Sequence, residues 1–353
     1  MTESAVKQKT AHRAGFVAIV GRPNAGKSTL VNKLVGQKIA IVTSKPQTTR
    51  NRIQGIVSRK EGQIVFIDTP GIHEAKSFLN RQMLREINAA VEGIDVLLLM
   101  ADASTLQPYA DPLLIDRAKR FDGKVILALN KVDKLPKAKI LPMMESFRKA
   151  FPFTAMIPIS ALKGDGIEEM SREILKHLPE AEAYFPEDQV TDQPERFLAA
   201  EIIREKAIAL TYHEVPHALA VFVDKWEEKA KLLRIEATMY VERGSQKKIL
   251  IGHKGEMLKK IGMQARKELE KLFGTKIYLG LFVKVVPDWR ENPQHVRELD
   301  WHSQLEALGK EQALRERARH QFEDSEEMSA AEEGEDETDL EEYEKEDEAE
   351  KEN

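Results

Sequence analysis

The 353-residue chain has no cysteine. That excludes disulfides and thiolate zinc sites, and accords with a reducing compartment. Long apolar runs are absent as well. "DVLLLMA" (95–101) has the length of a buried strand and falls far short of the roughly 18 residues a membrane-spanning helix needs. The opening "MTESAVKQKTAHRAG" carries no apolar h-region of the secretory type. A cytoplasmic protein is the expectation. Aromatics are sparse at 6%, but a 42% apolar content over this length suffices for two domains with cores of their own.

Charge is distributed unevenly. From Glu323 to Asn353 there are 18 acidic residues against two lysines, a net of −16, so residues 1–322 carry +11. The acidic stretch has too few apolar residues to bury a core and reads as a disordered C-terminal tail. A basic body raises the prospect of a polyanionic partner.

Residues 14–180 alternate short apolar strands with helical stretches: "FVAIV", "IVFID", "DVLLLMA", "KVILALN" and "TAMIPIS" each run into a polar turn. This rhythm predicts an α/β domain built on a mostly parallel, doubly wound sheet, with its ligand beyond the carboxyl ends of the strands. Residues 1–13 read as a disordered N-terminus, and the Pro- and acid-rich stretch 181–195 as a linker. Residues 196–290 predict an α+β domain of order α-β-β-α-α-β. Its strands lie at 217–226, 232–242 and 276–286, and its last helix carries Leu258, Ile261, Ala265, Leu269 and Leu272 as a core stripe. A further helix is expected within 291–322, before the tail at 323–353.

Chemistry concentrates at the strand ends of the first domain. "GRPNAGKS" (21–28) has the spacing of a phosphate-binding loop between a strand and a helix. Glycines let backbone N–H groups close on phosphate oxygens, and the helix N-terminus adds positive potential. Lys27 then reaches the β- and γ-phosphates, and the Ser28 hydroxyl ligates Mg²⁺. Asp68, ending its strand, would hold the same Mg²⁺ through a water, although alone it would read as an Asx turn or helix cap. Gly71 allows an N–H to approach the γ-phosphate. "NKVD" (130–133) supplies the base reader: the Asp133 carboxylate can accept from both N1–H and the 2-amino group of guanine, which adenine lacks. Asn130 and the Lys131 stem brace the loop and cover the ring. Ser160-Ala161 offers backbone N–H to the guanine carbonyl. The expected nucleotide-binding set is therefore Gly21, Arg22, Pro23, Asn24, Ala25, Gly26, Lys27, Ser28 and Thr29; Asp68, Thr69, Pro70, Gly71 and Ile72; Asn130, Lys131, Val132 and Asp133; and Ser160 with Ala161. GTP is the expected ligand, and the expected activity is slow hydrolysis to GDP and phosphate. Ile72 occupies the slot where many such enzymes carry a water-orienting glutamine, and it can only pack.

In the second domain, Gly252-His253-Lys254-Gly255 joins two helices. By itself such a loop is more often a plain helix–helix turn. Between Arg243 and Lys276, however, there are ten Lys+Arg against three acids, although a solvated face explains many such clusters. Element order, glycine loop and charge together predict single-stranded RNA binding through Lys247, Lys248, Gly252, His253, Lys254, Gly255 and Lys259. His73, His213 and His217 show no metal-ligand spacing and read as loop or surface residues.

"GRPNAGKS", "KPQTTRNR", "DTPG", "NKVD", "ISA", "TDQPERFLAAEIIREK" and "GSQKKILIGHKG" make residues 14–290 resemble the Era family of bacterial GTPases. The resemblance implies a P-loop GTPase domain followed by a type II KH domain. It implies binding to 16S ribosomal RNA near its 3′ end, action in 30S subunit assembly, and a monomer. A role coupling growth to division and a peripheral association with the inner membrane are also implied. It places a Mg²⁺-ligating switch threonine at Thr49, with Thr48 the runner-up. Related GTPases with an apolar residue after Asp-x-Pro-Gly and an asparagine at the position of Asn24 hold K⁺ beside the phosphates; a side chain bonding its own loop is the alternative for Asn24. Lys27, Thr49, Gly71 and Asn24 are thus the expected catalytic groups. Two other readings compete: a small-molecule kinase, against which "NKVD" speaks, and a membrane or cell-division scaffold with GTP as a structural ligand.

Overall fold

All seven residues from Gly62 to Asp68 are buried, as expected of a strand covered on both faces. In the computed structural model, which describes residues 12–298 except 44, 46, 47, 72–76, 106–109 and 213, this segment is β3 of a six-stranded sheet. The others are β1 (Arg13–Gly21), β2 (Ile53–Arg59), β4 (Val96–Asp102), β5 (Lys124–Asn130) and β6 (Ala155–Pro158), in the order β2-β3-β1-β4-β5-β6. All neighbours are parallel except β2, which runs antiparallel to β3. Helices α1 (Lys27–Val35), α2 (Phe78–Val91), α3 (Pro112–Arg120), α4 (Ile140–Ala150) and α5 (Ile167–His177) complete the domain. The strand order reverses at β1, so the crevice at its carboxyl end is the natural ligand position.

Two features differ from the sequence expectations, and a third, the linker, has a definite seat. β2 was not anticipated, because Gly55 interrupts its apolar pattern. A Cβ there would lie 2.7 Å from Val31 Cγ1, so the glycine is what lets α1 approach the strand. Arg13, assigned to a disordered N-terminus, begins β1 and donates to the Leu178 carbonyl at 2.7 Å. The linker is a docked strap. Gln63 Oε1 accepts from the N–H of Tyr184 and Phe185, Ile56 N–H donates to Val190 O, and the Tyr184 ring lies 4.8 Å from that of Phe16. The strap covers the edge strand β2, whose ladder groups would otherwise be open to other chains.

The second domain comprises α6 (Glu195–Leu210), α7 (Val215–Ala218), β7 (Ala220–Lys229), β8 (Leu232–Val241), α8 (Gly244–Ile251), α9 (Glu256–Phe273) and β9 (Ile277–Val285), followed by α10 (Pro293–Glu298). The strand expected at 217–226 starts later, because Pro216 sits in the first turn of α7. β7 is antiparallel and β9 parallel to β8. Ile235, Ala237, Met239 and Val241 face Ile261, Ala265 and Leu269 in one core, while Leu258 and Leu272 pack at its margin. α6 is apolar on most sides because it is buried on most sides, and Arg204 and Glu205 are among its buried residues. The two domains form one compact unit ending at Val296. Of the helix expected within 291–322, only α10 falls among the described residues; the rest and the tail at 323–353 lie outside them. Among the described residues, no helix is long and apolar enough to cross a membrane.

Candidate nucleotide and RNA sites

The loop between β1 and α1 depends on backbone conformations that few residues adopt. Asn24 has φ 62° and Gly26 φ 102°. A Cβ on Gly26 would lie 2.3 Å from Asn130 Nδ2, and one on Gly71 2.8 Å from the Pro23 backbone. Both glycines therefore serve close approach as well as conformational freedom. Lys27 is buried, its Nζ donating to the Gly21 and Arg22 carbonyls at 3.2 Å each. Burial holds its pKa below the usual lysine range, against the opposing pull of Asp68.

Under the loop, Ser28 Oγ donates to Asp68 Oδ2 at 2.6 Å and lies 2.8 Å from Thr49 Oγ1. Asp68 Oδ1 is buried with no hydrogen-bond partner. Burial raises the Asp68 carboxyl to about 6, although Lys27, Ser28 and Thr49 draw it back. A carboxylate with an unsatisfied oxygen beside two hydroxyls is the donor set a hard divalent cation takes, so these residues fit Mg²⁺. Thr48, the runner-up, also lines the cleft, but its hydroxyl is engaged within its own loop: it donates to Lys45 O and lies 2.6 Å from Thr43 Oγ1.

At the end of β5, Asn130 staples two loops together. Its Nδ2 donates to Ala25 O at 2.7 Å and its Oδ1 accepts the Ala161 N–H at 2.9 Å. Lys131, at φ 64°, extends over the phosphate loop to Asn24 O and Asp102 Oδ2. Ser160 Oγ donates to Asp133 Oδ1 at 2.7 Å, orienting the carboxylate and holding its pKa below the usual range. The Ser160 and Ala161 N–H groups assigned to the guanine carbonyl already have protein acceptors, Asp165 O and Asn130 Oδ1. Their present task is to brace the loop, and the base can meet the Ala161 N–H only by sharing it.

The phosphate loop, Thr49, Gly71 and Lys131 line one cleft of about 400 Å³, within the range of small-ligand sites. Ile41, Val42 and Thr43 also line it. The sequence reading missed them because they carry no motif. Thr69 anchors the turn after β3 through Ile19 O. Arg22 is paired with Asp111 at 2.8 Å and does not line the cleft. Leu162, next to Ala161, is 72% exposed and was also missed. Ile72, with His73 and His213, lies outside the described residues. His217 is half-buried in α7, and burial, aided by the Arg50 guanidinium, lowers its pKa.

In the second domain, Gly252 (φ 73°), Lys254 (φ 49°) and Gly255 (φ 84°) make the turn between α8 and α9. A Cβ on Gly252 would lie 2.7 Å from Met257 Cβ, whereas one on Gly255 would meet nothing within 4 Å. The first glycine is required by packing; the second leaves backbone open to approach. Lys248, His253, Lys254 and Lys259 are exposed and Lys247 half-buried. Beside the turn a groove of about 460 Å³ is lined by Gly255, Lys259, Gly262, Met263, Arg266 and Leu281. Gly255 and Lys259 reach this groove; Lys247, Lys248, Gly252, His253 and Lys254 do not line it. Met263 and Arg266 escaped the sequence reading. The available signal was an exposed methionine, 53% accessible, one residue after a mid-helix glycine.

Comparison with known proteins follows the same division. A family model described as 50S ribosome-binding GTPase matches residues 16–131, and a KH domain model matches 214–290. GTPase Era of Syntrophus aciditrophicus is 49% identical over 292 residues, covering 82% of this chain and 95% of that protein. GTPase Era of Geobacter sp. (strain M21) is 47% identical over 290 residues, covering 82% and 98%. Among solved structures, Aquifex aeolicus Era bound to GDP·AlF₄⁻ superposes with a TM-score of 0.78 at 44% identity, covering 82% of this chain and 99% of that one. An Era in complex with MgGDPNP and nucleotides 1506–1542 of 16S ribosomal RNA superposes with a TM-score of 0.79 at 43% identity and the same coverage.

Proposed function

The chain belongs to the Era family of GTPases, and from that premise we propose that its nucleotide state governs how the KH domain engages 16S ribosomal RNA near its 3′ end during small-subunit assembly. The observation that carries this reading is the convergence of Ser28, Thr49 and Asp68 beneath the phosphate loop, with Asp133 oriented by Ser160 at the far end. Backbone N–H groups of the loop hold the phosphates, and the Lys27 ammonium exchanges its two carbonyl acceptors for β- and γ-phosphate oxygens. The Gly71 N–H approaches the γ-phosphate. Ser28 and Thr49 directly, and Asp68 through a water, would hold Mg²⁺, which when bound would neutralise charge developing between the β- and γ-phosphates. The carboxylate of Asp133 selects guanine, and the exposed Leu162 offers its apolar surface to a ring face. An apolar Ile72 leaves the attacking water to be placed by other groups, which accords with slow intrinsic turnover.

The KH side of the reading rests on the Gly252–Gly255 turn with its surrounding lysines and on the adjacent groove. A backbone phosphate meets the turn and a base enters the groove. The same reading places the protein in the cytoplasm, as a monomer. The test is binding of an oligoribonucleotide carrying nucleotides 1506–1542, the segment seen with the solved relative. MgGDPNP, MgGDP and an ATP analogue are compared. Binding favoured by MgGDPNP alone supports the proposal; equal binding in all three states overturns it.

A further inference from the structure

The Mg²⁺-facing threonine belongs to a segment that the KH domain holds from two sides. Glu205 Oε1, on α6, accepts the Val42 N–H at 2.9 Å, and Arg204 on the same helix donates to the Thr48 carbonyl. Thr49 stands directly after that carbonyl. Arg50 then reaches the carbonyl end of α7, donating to Leu219 O at 2.8 Å and His217 O at 3.1 Å, with its guanidinium 5.7 Å from the centre of the Trp289 ring.

Glu205 belongs to a wider cluster. Lys38, just before the switch segment, pairs with Glu205 at 2.6 Å and with Glu268. Lys206 pairs with Glu205 at 2.7 Å and with the same Glu268. Glu268 lies on α9, whose N-terminus is the Gly252–Gly255 turn, about 18 Å away at 1.5 Å per residue. Two cations and two carboxylates, all at least half covered, thus join the RNA-contacting helix to the loop bearing Thr49. Both carboxylates are shared between the same two ammonium groups, so a displacement of α9 shifts the cluster as a whole.

We propose that Glu268, acting through Lys38, Lys206 and Glu205, is a positioning residue for Thr49, and that α9 is the rigid rod by which RNA at the glycine turn biases the Mg²⁺-facing segment. The inference rests on the functional reading above. Coupling of this kind is reciprocal: whatever factor the nucleotide contributes to RNA affinity, RNA contributes to nucleotide affinity. None of Lys38, Glu205, Lys206 and Glu268 lines the nucleotide cleft or the groove beside the glycine turn, so loss of the cluster changes that factor and leaves each separate affinity nearly unaltered.

The measurement is the ratio of dissociation constants for the 1506–1542 oligoribonucleotide with MgGDP and with MgGDPNP, in the full-length protein. Glu268→Gln and Lys38→Met remove charge from opposite ends of the cluster and should each lower the ratio by about fivefold or to unity, with affinity in MgGDP within about twofold of the parent. Lys38→Arg keeps the charge and should keep the ratio, which a purely structural role would not distinguish from Lys38→Met. Thermal melting of each variant identifies a folding defect, in which case the variant at the other end decides. A parent ratio of one overturns the functional reading itself. A parent ratio above one that survives in both variants overturns the rod.

Discussion

The two sheets of this protein place their sites by different rules. The six-stranded sheet is covered on both faces, so its ligand chemistry is confined to the carboxyl ends of the strands, where Lys27, Asp68 and Asn130 are all buried. The three-stranded sheet is covered by helices on one face, leaving Tyr278 and Phe282 exposed on the other. Its candidate RNA surface lies elsewhere, at a helix–helix turn and an adjoining groove. One site is a set of fixed donors where each atom has a task. The other is a surface of exposed charges around an open backbone. A single substitution should be severe and specific in the first, graded and salt-dependent in the second.

The sharpest way to break this comparison is Asp133→Asn. The change keeps the shape of the side chain and its contact with Ser160, but replaces an acceptor by a donor where guanine presents N–H groups. Selectivity for GTP over XTP should invert, by up to ~10⁴ in relative affinity. Competition binding measures it directly. A variant that still prefers GTP would show that the base is read elsewhere, and the end of β5 would lose its special status.

The next effect is on stability. Burial pushes the Asp68 carboxyl up to about 6, above the ordinary carboxylate range, so the folded, nucleotide-free protein binds its proton more tightly than the unfolded chain. Stability from this group is fully present below the unfolded pKa and declines as pH rises through about 6. That rise corresponds to roughly 3 kcal/mol. Asp68→Asn should therefore gain on the parent by about that amount between pH 4 and pH 7 in urea denaturation without nucleotide, while losing Mg²⁺-dependent GTP binding. A constant difference across that range would mean that the carboxyl is solvated in the folded state. A buried charge kept for a cation opposes folding; exposed lysines carry no such cost.

For the KH surface, Lys248→Glu combined with Lys254→Glu should weaken RNA binding by about tenfold or more at low salt and leave RNA-free GTP turnover unchanged. Loss of two phosphate contacts should also flatten the slope of log affinity against log salt by roughly 0.7 per contact. A parallel fall in GTP turnover would erase the contrast between the two sites and point to a shared folding defect.

What could be read in advance follows the same contrast. The phosphate loop, Asp68 and the end of β5 were legible because phosphate and guanine recognition demand particular residue types at short, fixed spacings. Ile41, Val42 and Thr43 were not, because they line the cleft through their place in the chain and carry no diagnostic chemistry. A motif does not reveal that Asn130 Oδ1 already accepts the Ala161 N–H. In the KH domain the turn was legible from its glycines, but Met263 and Arg266 enter the groove only through the packing of α9 against β9. The cluster around Glu268 was invisible for a related reason: it joins residues 230 positions apart.

The smallest effect concerns Asn24, at the lip of the cleft with φ 62°. If its side-chain oxygen helps to hold K⁺ beside the phosphates, turnover should be higher in K⁺ than in Na⁺, by about tenfold, or roughly 1.4 kcal/mol of barrier. Asn24→Ala should remove that preference, but it also places a Cβ-bearing residue without a local hydrogen-bonding group in a left-handed conformation, at a cost of order 1 kcal/mol. Asn24→Gly separates the two effects, since glycine tolerates this φ while removing the side-chain oxygen with the rest of the side chain. Both variants should lose the K⁺ preference, while the glycine variant keeps GDP affinity within about twofold. Phosphate release in matched K⁺ and Na⁺ buffers decides it. Equal rates in the parent remove the cation from the mechanism. A preference retained in Asn24→Gly would assign the cation to backbone carbonyls of the switch segment.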